Sequence, residues 1–274
     1  MKEIDILIST KDRPSEICLL LQSLRTQTTE KYCHYQWNAI ICDNASRTPL
    51  MENYLFNSMT KRLRQEGHRI IVLRNAADFG ICYARNQLNE WQLKYGTGEY
   101  SMRLDDDVIL NPDYIHKLLD VIEAGYDIAS GTTPQMMFPV MRREVSFLGD
   151  MINKVAFDPQ GNLLIFGDDC GFGYIESTIL RAGHFRSCAL YKSEINKLRY
   201  PDNLSRYGFR EESFFSLKAL MAGYTIGVHT TAEAMHLQTP SGGGRSHMSQ
   251  QSVMQDDMLF RQWCKKQFLA GKFK

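Results

Sequence analysis

The sequence YSMRLDDDVIL at residues 100–110 places three consecutive carboxylates between two apolar runs. Three adjacent acids repel each other, so a fold keeps them together mainly where a positive charge lies beside them. Oxygen ligands of this kind suit Mg²⁺ or Mn²⁺. Because side chains alternate along a strand, Asp105 and Asp107 should point to one side and Asp106 to the other. Taken alone, the run favours a solvated acidic turn, and it is the rest of the chain that favours a metal site instead.

The composition is that of an ordinary globular protein. The chain has 274 residues, of which 43% are hydrophobic and 23% charged, and its formal net charge of +1 gives no overall attraction to nucleic acid or membrane. The segment Arg261 to Lys274 is locally basic and is expected to be a solvated helix face. No apolar run approaches the ~20 residues that a membrane helix needs. The seven cysteines form no C-x-x-C pair, so we expect reduced thiols and, without a secretory signal at the start of the sequence, a cytoplasmic protein.

Short apolar runs alternate with segments of helical spacing in the first part of the chain. The apolar runs predict four strands, which begin near Ile4, Trp37, Arg69 and Tyr100. Such an alternation indicates an α/β fold with a mostly parallel central sheet and helices on both faces. Ligands bind such sheets at the carboxyl ends of the strands. Polar clusters follow these strands at Ser9–Arg13, Asp43–Ser46, Arg74–Asn75 and Asp105–Asp107.

The chain after residue 110 is less regular. A helix is expected to begin at Pro112, and strands are expected at 126–133, 184–190 and 224–229. Glu211 and Glu212 should open a further helix, whose positive end suits two acids. The stretch Ser241–His247 contains three consecutive glycines and is expected to be flexible, as lids are.

Five motifs, in this order along the chain, resemble those of the family 2 glycosyltransferases, which have the GT-A fold. They are ILISTKDRP at 6–14, ICDNAS at 41–46, RN at 74–75 with Gly80 and ARN at 84–86, LDDDVILNPDY at 104–114, and EE at 211–212 ahead of Lys218 and GY at 223–224. The resemblance implies a Rossmann-like GT-A domain over residues 1–274. Residues 1–110 would then be the nucleotide-sugar-binding half, 111–240 the acceptor and catalytic half, and 241–274 a flexible loop and basic tail.

The resemblance also implies roles for individual residues in a metal-dependent transfer of a sugar from a nucleotide-sugar donor to an acceptor hydroxyl. Asp107, Asp105 and His236 would bind Mn or Mg. His236 could equally be a hydrogen-bonded core histidine, and His229 competes with it for the metal. The residues expected to bind the donor are Thr10, Arg13, Asp43, Asn75, Arg85, Asn86, Asp105, Asp106 and Arg245. Asp43 would contact the nucleotide base, although an Asx turn after the strand would also explain an aspartate there.

The acceptor hydroxyl is a poor nucleophile, so a carboxylate has to take its proton. The family's acid maps to Glu212, where this chain has Glu instead of the usual Asp. Glu211, Asp168 and Asp169 therefore remain alternatives for the base. With one base and an in-line attack, the anomeric centre would invert.

Three other functions compete with this interpretation. A nucleotidyltransferase would need a glycine-rich first loop, and Ser9–Pro14 has no glycine. A non-catalytic nucleotide- or carbohydrate-binding module would not need Glu212, while a retaining GT-A transferase would carry the same acidic motif. Acceptor recognition is expected in residues 133–205. A glycan is the expected acceptor, and a protein or a modified nucleic acid is a less favoured alternative that Arg142-Arg143 and the basic tail keep open.

Overall fold

The computed structural model describes residues 2–28, 35–136, 141–147, 151–166 and 171–273. The expected alternatives for the base at Asp168 and Asp169 lie outside these residues. The helices are α1 (Pro14–Arg25), α2 (Tyr54–Gln65), α3 (Ile81–Tyr95), α4 (Tyr114–Glu123), α5 (Glu211–Met221) and α6 (Gln250–Leu269). The strands are β1 (Lys2–Thr10), β2 (Tyr35–Asp43), β3 (Ile70–Arg74), β4 (Tyr100–Asp105), β5 (Val108–Leu110), β6 (Ile128–Thr132), β7 (Arg142–Arg143), β8 (Met151–Ile152), β9 (Lys154–Phe157), β10 (Leu163–Phe166), β11 (Gly173–Tyr174), β12 (Ile179–Ala182), β13 (Cys188–Lys192) and β14 (Ile226–His236).

One large sheet runs through the molecule in the order β3-β2-β1-β4-β13-β6-β14-β12-β8. The first four strands are parallel, and β13 pairs antiparallel with both β4 and β6. The expected halves at 1–110 and 111–240 therefore share this sheet, because β4 and β13 are neighbours. The sheet is mixed beyond β4.

Helices cover both faces of this sheet, as the sequence predicts. Alternate β1 residues Ile4, Ile6 and Ile8 lie in one buried cluster with apolar residues of α1, α2 and α4. Leu7 points the other way and packs with Ala84 and Leu88 of α3. Burying both sides explains the continuous apolar runs ILI at 6–8 of β1 and AIIC at 39–42 of β2.

Several predicted boundaries are wrong. Helix α4 begins at Tyr114, so Pro112 precedes the helix instead of opening it. The strand expected at 184–190 is Cys188–Lys192, and a short 3₁₀ helix follows at Ser193–Lys197. The strand expected at 224–229 is part of the longer strand β14, which begins at Ile226 and continues to His236. Boundaries shift because tertiary contacts, and not propensity alone, set where an element ends.

Strand β14 brings the second half of the chain to the three acids. It pairs antiparallel with β5, with His236 opposite Val108, and Leu237 donates its backbone N–H to the carbonyl oxygen of Asp107 at 2.8 Å. The three acids thus lie in a tight turn between β4 and β5, beside the end of β14. Within the described segments, no helix has the length and apolar character needed to cross a bilayer.

Candidate active site

A cleft of about 190 Å³ lies at the carboxyl ends of β1 and β4. Its walls come from the β1–α1 loop, the acidic turn, the N-terminal end of α5 and the segment after β14. Of the residues that the sequence predicts for the site, Thr10, Arg13, Arg85, Asp105, Asp106, Asp107, Glu211, Glu212, His236 and Arg245 line this cleft.

Asp105, Asp107 and His236 form a cluster of potential metal ligands in the cleft. One ligand atom from each lies within 4.8 Å of the others. Nε2 of His236 is 3.2 Å from Oδ1 of Asp107. Burial lowers the pKa of His236, but the hydrogen bond and charge of Asp107 outweigh burial and raise the pKa overall. Neither Asp106 nor His229 belongs to this cluster.

Asp106 pairs with Arg13, whose guanidinium is almost fully buried. Nη1 of Arg13 donates to Oδ1 of Asp106 at 2.8 Å and lies 3.2 Å from Oδ2 of Asp107. The same guanidinium donates to the carbonyl oxygens of Thr239 and Ser241. Burial raises the pKa of Asp106 to about 6 despite Arg13. Arg13 therefore ties the acidic turn to the segment after β14.

Two buried arginines stand behind the acids. Nη2 of Arg85 donates to Oδ1 of Asp105 at 2.7 Å and is 3.0 Å from Oε1 of Glu211. Nη2 of Arg103 donates to Oε1 of both Glu211 and Glu212 at 2.9 Å. Burial opposes ionisation of Asp105, but Arg85 and Arg103 outweigh it and hold its pKa below the ordinary value.

Glu211 and Glu212 open helix α5 but differ in access. The side chain of Glu211 is 7% exposed, and that of Glu212 is 27% exposed. Burial raises the pKa of Glu211 to about 7 against the two arginines. Oε1 of Glu212 also accepts the backbone N–H of Ser187, whereas no bond to Oε2 is seen among the described residues. Glu212 is thus oriented through one oxygen and keeps the other for the cleft.

The glycine-rich stretch Ser241–His247 lies against the cleft as a short 3₁₀ helix over Gly243–His247. The N–H of Gly243 donates to the carbonyl oxygen of Lys11, and His247 pairs with Asp78. A Cβ at Gly242 would come 2.7 Å from Cγ of Arg13, and this residue has φ +73°, so glycine is needed there. Whether the stretch moves stays a prediction.

Three predicted donor residues do not line the cleft. Both carboxylate oxygens of Asp43 accept backbone N–H groups, from Ser46 and Leu50 at 2.9 Å, which is the turn that competed with base binding. Asn75 donates to Asn44, which does line the cleft. Asn86 bonds to the backbone of Tyr200. These three side chains hold loops in place, and their contact with a donor stays a prediction.

Arg103 is a site residue that the sequence analysis missed. Its signal is plain, because an arginine stands inside the buried strand β4. It lies over the rings of Phe185 and Tyr200, with its guanidinium carbon 5.5 and 5.9 Å from their centroids. A buried cation needs buried anions, and Glu211 and Glu212 supply them.

The sequence profile of Glycosyl transferase family 2 matches residues 5–145, slightly more than half of the chain. The chain belongs to glycosyl transferase family 2. The match covers the strands β1 to β6 with Thr10, Arg13 and the acidic turn. No curated protein sequence matches this family 2 chain.

Solved glycosyltransferase structures share the fold of this family 2 chain, which is GT-A. Staphylococcus aureus TarS 1–349 in complex with UDP-GlcNAc superposes with a TM-score of 0.59 at 16% identity, over 91% of this chain and 62% of that one. GalNAc-T7 with UDP, GalNAc and Mn²⁺ superposes with a TM-score of 0.63 at 13% identity, over 86% of this chain and 44% of that one. The chain therefore spans less than two thirds of the length of these structures.

Proposed function

We propose that this protein transfers a sugar from a nucleotide-sugar donor to an acceptor hydroxyl, with inversion and with a divalent metal. Family membership supports the general reaction. One observation in the structure carries the rest: Asp105, Asp107 and His236 converge in a cleft that Glu212 faces from the N-terminal end of α5. A domain that only bound sugars or nucleotides would not need this second, oriented carboxylate.

The cluster suits a hard divalent cation in charge and in donor atoms. Five carboxylates, of Asp105, Asp106, Asp107, Glu211 and Glu212, accompany three guanidiniums, of Arg13, Arg85 and Arg103. When these eight groups are ionised and His236 is neutral, they carry two net negative charges among themselves, which a divalent cation held by Asp105 and Asp107 would neutralise. Arg85 and Arg103 both approach Oδ1 of Asp105, so its Oδ2 is left for a ligand bond.

Mn²⁺ or Mg²⁺ held by Asp105, Asp107 and His236 would stabilise the charge that develops on a departing diphosphate. GalNAc-T7, the neighbour of similar fold, was solved with Mn²⁺. Arg245 and His247 can add positive charge to the same leaving group, since both line the cleft. The segment that carries them packs on Arg13, so the diphosphate site and the acidic turn would adjust together.

The nucleoside would occupy a second cavity of about 610 Å³ beside the cleft. Lys11 and Gly242 line this cavity on one side, and Ser46–Thr48 line it on the other. Asp43 would then act indirectly, by holding Ser46 through its backbone N–H. The cleft alone, at about 190 Å³, is smaller than the 300–1,000 Å³ typical of ligand pockets. A complete donor would therefore need both cavities and a shift of the segment that separates them.

Glu212 would take the proton of the acceptor hydroxyl on its free Oε2. Its other oxygen is fixed by Arg103 and by the N–H of Ser187, which keeps the carboxylate in one orientation. The acceptor oxygen forms the new bond to the anomeric carbon as the bond to the diphosphate breaks. One base on one side of the sugar gives inversion.

A nucleotide panel tests this proposal. The thermal midpoint of the protein is measured with UDP, GDP, CDP and dTDP, each with Mn²⁺ and with EDTA, and UDP comes first because both structural neighbours were solved with a uridine nucleotide. We expect one nucleotide to raise the midpoint with Mn²⁺ only. The matching nucleotide sugar should then give a product of inverted anomeric configuration by NMR. No stabilisation by any nucleotide would contradict the proposal, and a product of retained configuration would contradict the role of Glu212.

We also propose that the protein works in the cytoplasm. The five cysteines of the described residues are all free and buried, which supports the expected reducing, cytoplasmic setting.

A further inference from the structure

The loop Ser205–Arg210, which we call the rim loop, forms the wall of the cleft next to Glu211 and Glu212. Its sequence, SRYGFR, alternates arginines with aromatic rings. Four of these residues, Arg206, Tyr207, Phe209 and Arg210, line the cleft together with Gly208. The mechanism proposed above uses none of their side chains.

The rim loop is held in one conformation from behind. Asp256 of α6 is fully buried and accepts the N–H and hydroxyl of Ser205 and the N–H of Phe209, at 2.6–2.8 Å. The backbone of Arg206 packs on Gly80, where a Cβ would come 2.7 Å from Cα of Arg206. Arg210 adopts a left-handed conformation with φ +72°. Backbone held this firmly, with positive φ at a non-glycine residue, is common where a loop presents side chains to a ligand.

The two rings of the rim loop lie parallel to each other in the cleft wall. The planes of Tyr207 and Phe209 make an angle of 7°, and the ring centroids are 6.3 Å apart. Each ring is half-buried. Rings of this kind offer a large rigid apolar area at little entropic cost, and a tyrosine adds a polar tip. The C–H face of a sugar ring has the matching shape.

Arg206 is one of two cleft arginines that make no ion pair among the described residues; the other is Arg245. Arg13, Arg85 and Arg210 each pair with a carboxylate, and Lys11 and His247 share Asp78. Among the described residues, Arg206 makes no ion pair, and its side chain is exposed at the mouth. Arg245 belongs to the segment Ser241–His247, to which the proposed function already assigns the diphosphate.

We propose that the rim loop selects the acceptor, and that this acceptor is a sugar bearing an anionic group, either phosphate or carboxylate. The sugar ring stacks on Tyr207 and Phe209, and Arg206 binds the anionic group with the bidentate geometry that guanidinium favours. Glu212 lies two positions after the last residue of the rim loop and lines the same cleft. A sugar ring stacked on the rim loop would therefore have its hydroxyls beside Glu212. This inference rests on the proposed function, because it assigns the acceptor of that reaction.

Matched monosaccharides test the inference. Glucose, glucuronate and glucose 6-phosphate differ only at C6, and inorganic phosphate supplies the anion without the sugar. Each is titrated by isothermal calorimetry into protein already saturated with Mg²⁺ and UDP, or with the nucleoside diphosphate that the panel selects. Saturation keeps the probes out of the diphosphate site. The variants are Arg206→Gln and Arg206→Lys, with Arg62→Gln as the control, because Arg62 is an exposed arginine of α2 remote from the cleft.

We expect the wild type and Arg62→Gln to bind at least one of the charged sugars about tenfold tighter than glucose, the usual size of a charge-assisted hydrogen bond. Arg206→Gln should abolish this preference, and Arg206→Lys should retain part of it. Which charged sugar is preferred identifies the anionic group. Phe209→Leu should weaken glucose and the charged sugars by the same factor.

Three results would overturn the inference: no sugar binding, equal binding of glucose and both charged sugars, or a preference that survives Arg206→Gln. Inorganic phosphate binding as tightly as glucose 6-phosphate would also overturn it, since the rings would then contribute nothing. Failure of every nucleoside diphosphate to bind is a different result, because it rejects the proposed function itself.

Discussion

Glu211 and Glu212 are adjacent in sequence and each has an Oε2 that is unbonded among the described residues, but that of Glu211 is buried, whereas the side chain of Glu212 is 27% exposed. Glu212→Gln keeps the shape of the side chain and removes the base. We expect kcat to fall by about 10²–10⁴-fold, the usual contribution of a general base, while KM for the donor changes little. Steady-state kinetics with the donor selected by the nucleotide panel measures both constants.

Glu211→Gln is the matched control for this substitution. It sits one position away, yet its carboxylate is turned toward Arg85 and Arg103, so kcat should fall much less. If Glu211→Gln were inactive and Glu212→Gln active, the base would be Glu211. If both variants were fully active, the base would lie outside α5.

The buried carboxyl of Glu211 should also give an unusual dependence of stability on pH. Burial raises its pKa from 4.5 to about 7, so between these values the folded state binds more protons than the unfolded state. Stability is then fully present below the unfolded pKa and is lost as pH rises toward 7, by on the order of 2–3 kcal/mol. Urea unfolding of the metal-free protein from pH 4.5 to 8 should show that Glu211→Gln makes this decline smaller, while the raised pKa of Asp106 leaves part of it. A decline that is identical in the variant would contradict the shift.

Individual residues show what the sequence could and could not predict about the site. The acids and His236 reach the cleft because they lie at or just after the end of a strand or at the start of α5. Asp43 follows a strand equally clearly, but its backbone turns so that the carboxylate bonds to local N–H groups. No pattern in the sequence distinguishes an aspartate that faces a ligand from one that closes its own turn.

At the scale of elements, the segment Ser241–His247 is held over the cleft by few bonds. Arg245 makes it a trypsin site, and the proposed donor position spanning both cavities would require its movement. We expect trypsin to cut after Arg245 in the free protein and donor with Mn²⁺ to slow this cut several-fold. Mass spectrometry of the fragments identifies the bond. Equal cleavage with and without donor would make the segment a passive linker.

Helix α6 is the last helix of the chain, and it supports the rim loop through Asp256. It therefore contributes to the cleft although it is far from the other site residues in sequence. Asp256→Asn places an amide group against N–H donors and leaves at least one of them unsatisfied. We expect the free energy of unfolding to fall by about 2–4 kcal/mol. Asp257→Asn is the control, because Asp257 is 26% exposed and its pairs with arginines should contribute at most about 1 kcal/mol. Equal losses in the two variants, measured by urea unfolding, would contradict the special role of Asp256.

The elements that the sequence predicts best are the four parallel strands and the helices between them. Their signal is strong because a strand buried on both faces reads as a continuous apolar run. The later strands are shorter, antiparallel or irregular, as with β13 and β14. Their limits depend on partners far away in sequence, which local patterns do not contain.

At the scale of the whole molecule, β4 joins the two functions of the cleft. It ends at Asp105 of the proposed metal cluster, and its Arg103 reaches Glu211 and Glu212, the proposed base, on α5. Because β13 pairs along β4, both halves of the chain contribute to one sheet. The sequence predicted both sides, but the arginine connection between them appears only in three dimensions.

The central claim is that the acidic turn binds a metal that in turn binds a nucleoside diphosphate. Isothermal calorimetry of the nucleoside diphosphate selected by the panel, in Mn²⁺ and in EDTA, tests it most directly on the wild type and Asp107→Ala, with Arg62→Gln as control. Loss of an outer-shell partner of a metal weakens its site by 10–100-fold, so loss of a ligand should weaken nucleotide binding in Mn²⁺ by at least about tenfold. We predict tight binding in Mn²⁺ for the wild type and the control, and equally weak binding in EDTA and in Asp107→Ala. Binding that is the same in Mn²⁺ and EDTA, or unchanged in Asp107→Ala, would contradict the account.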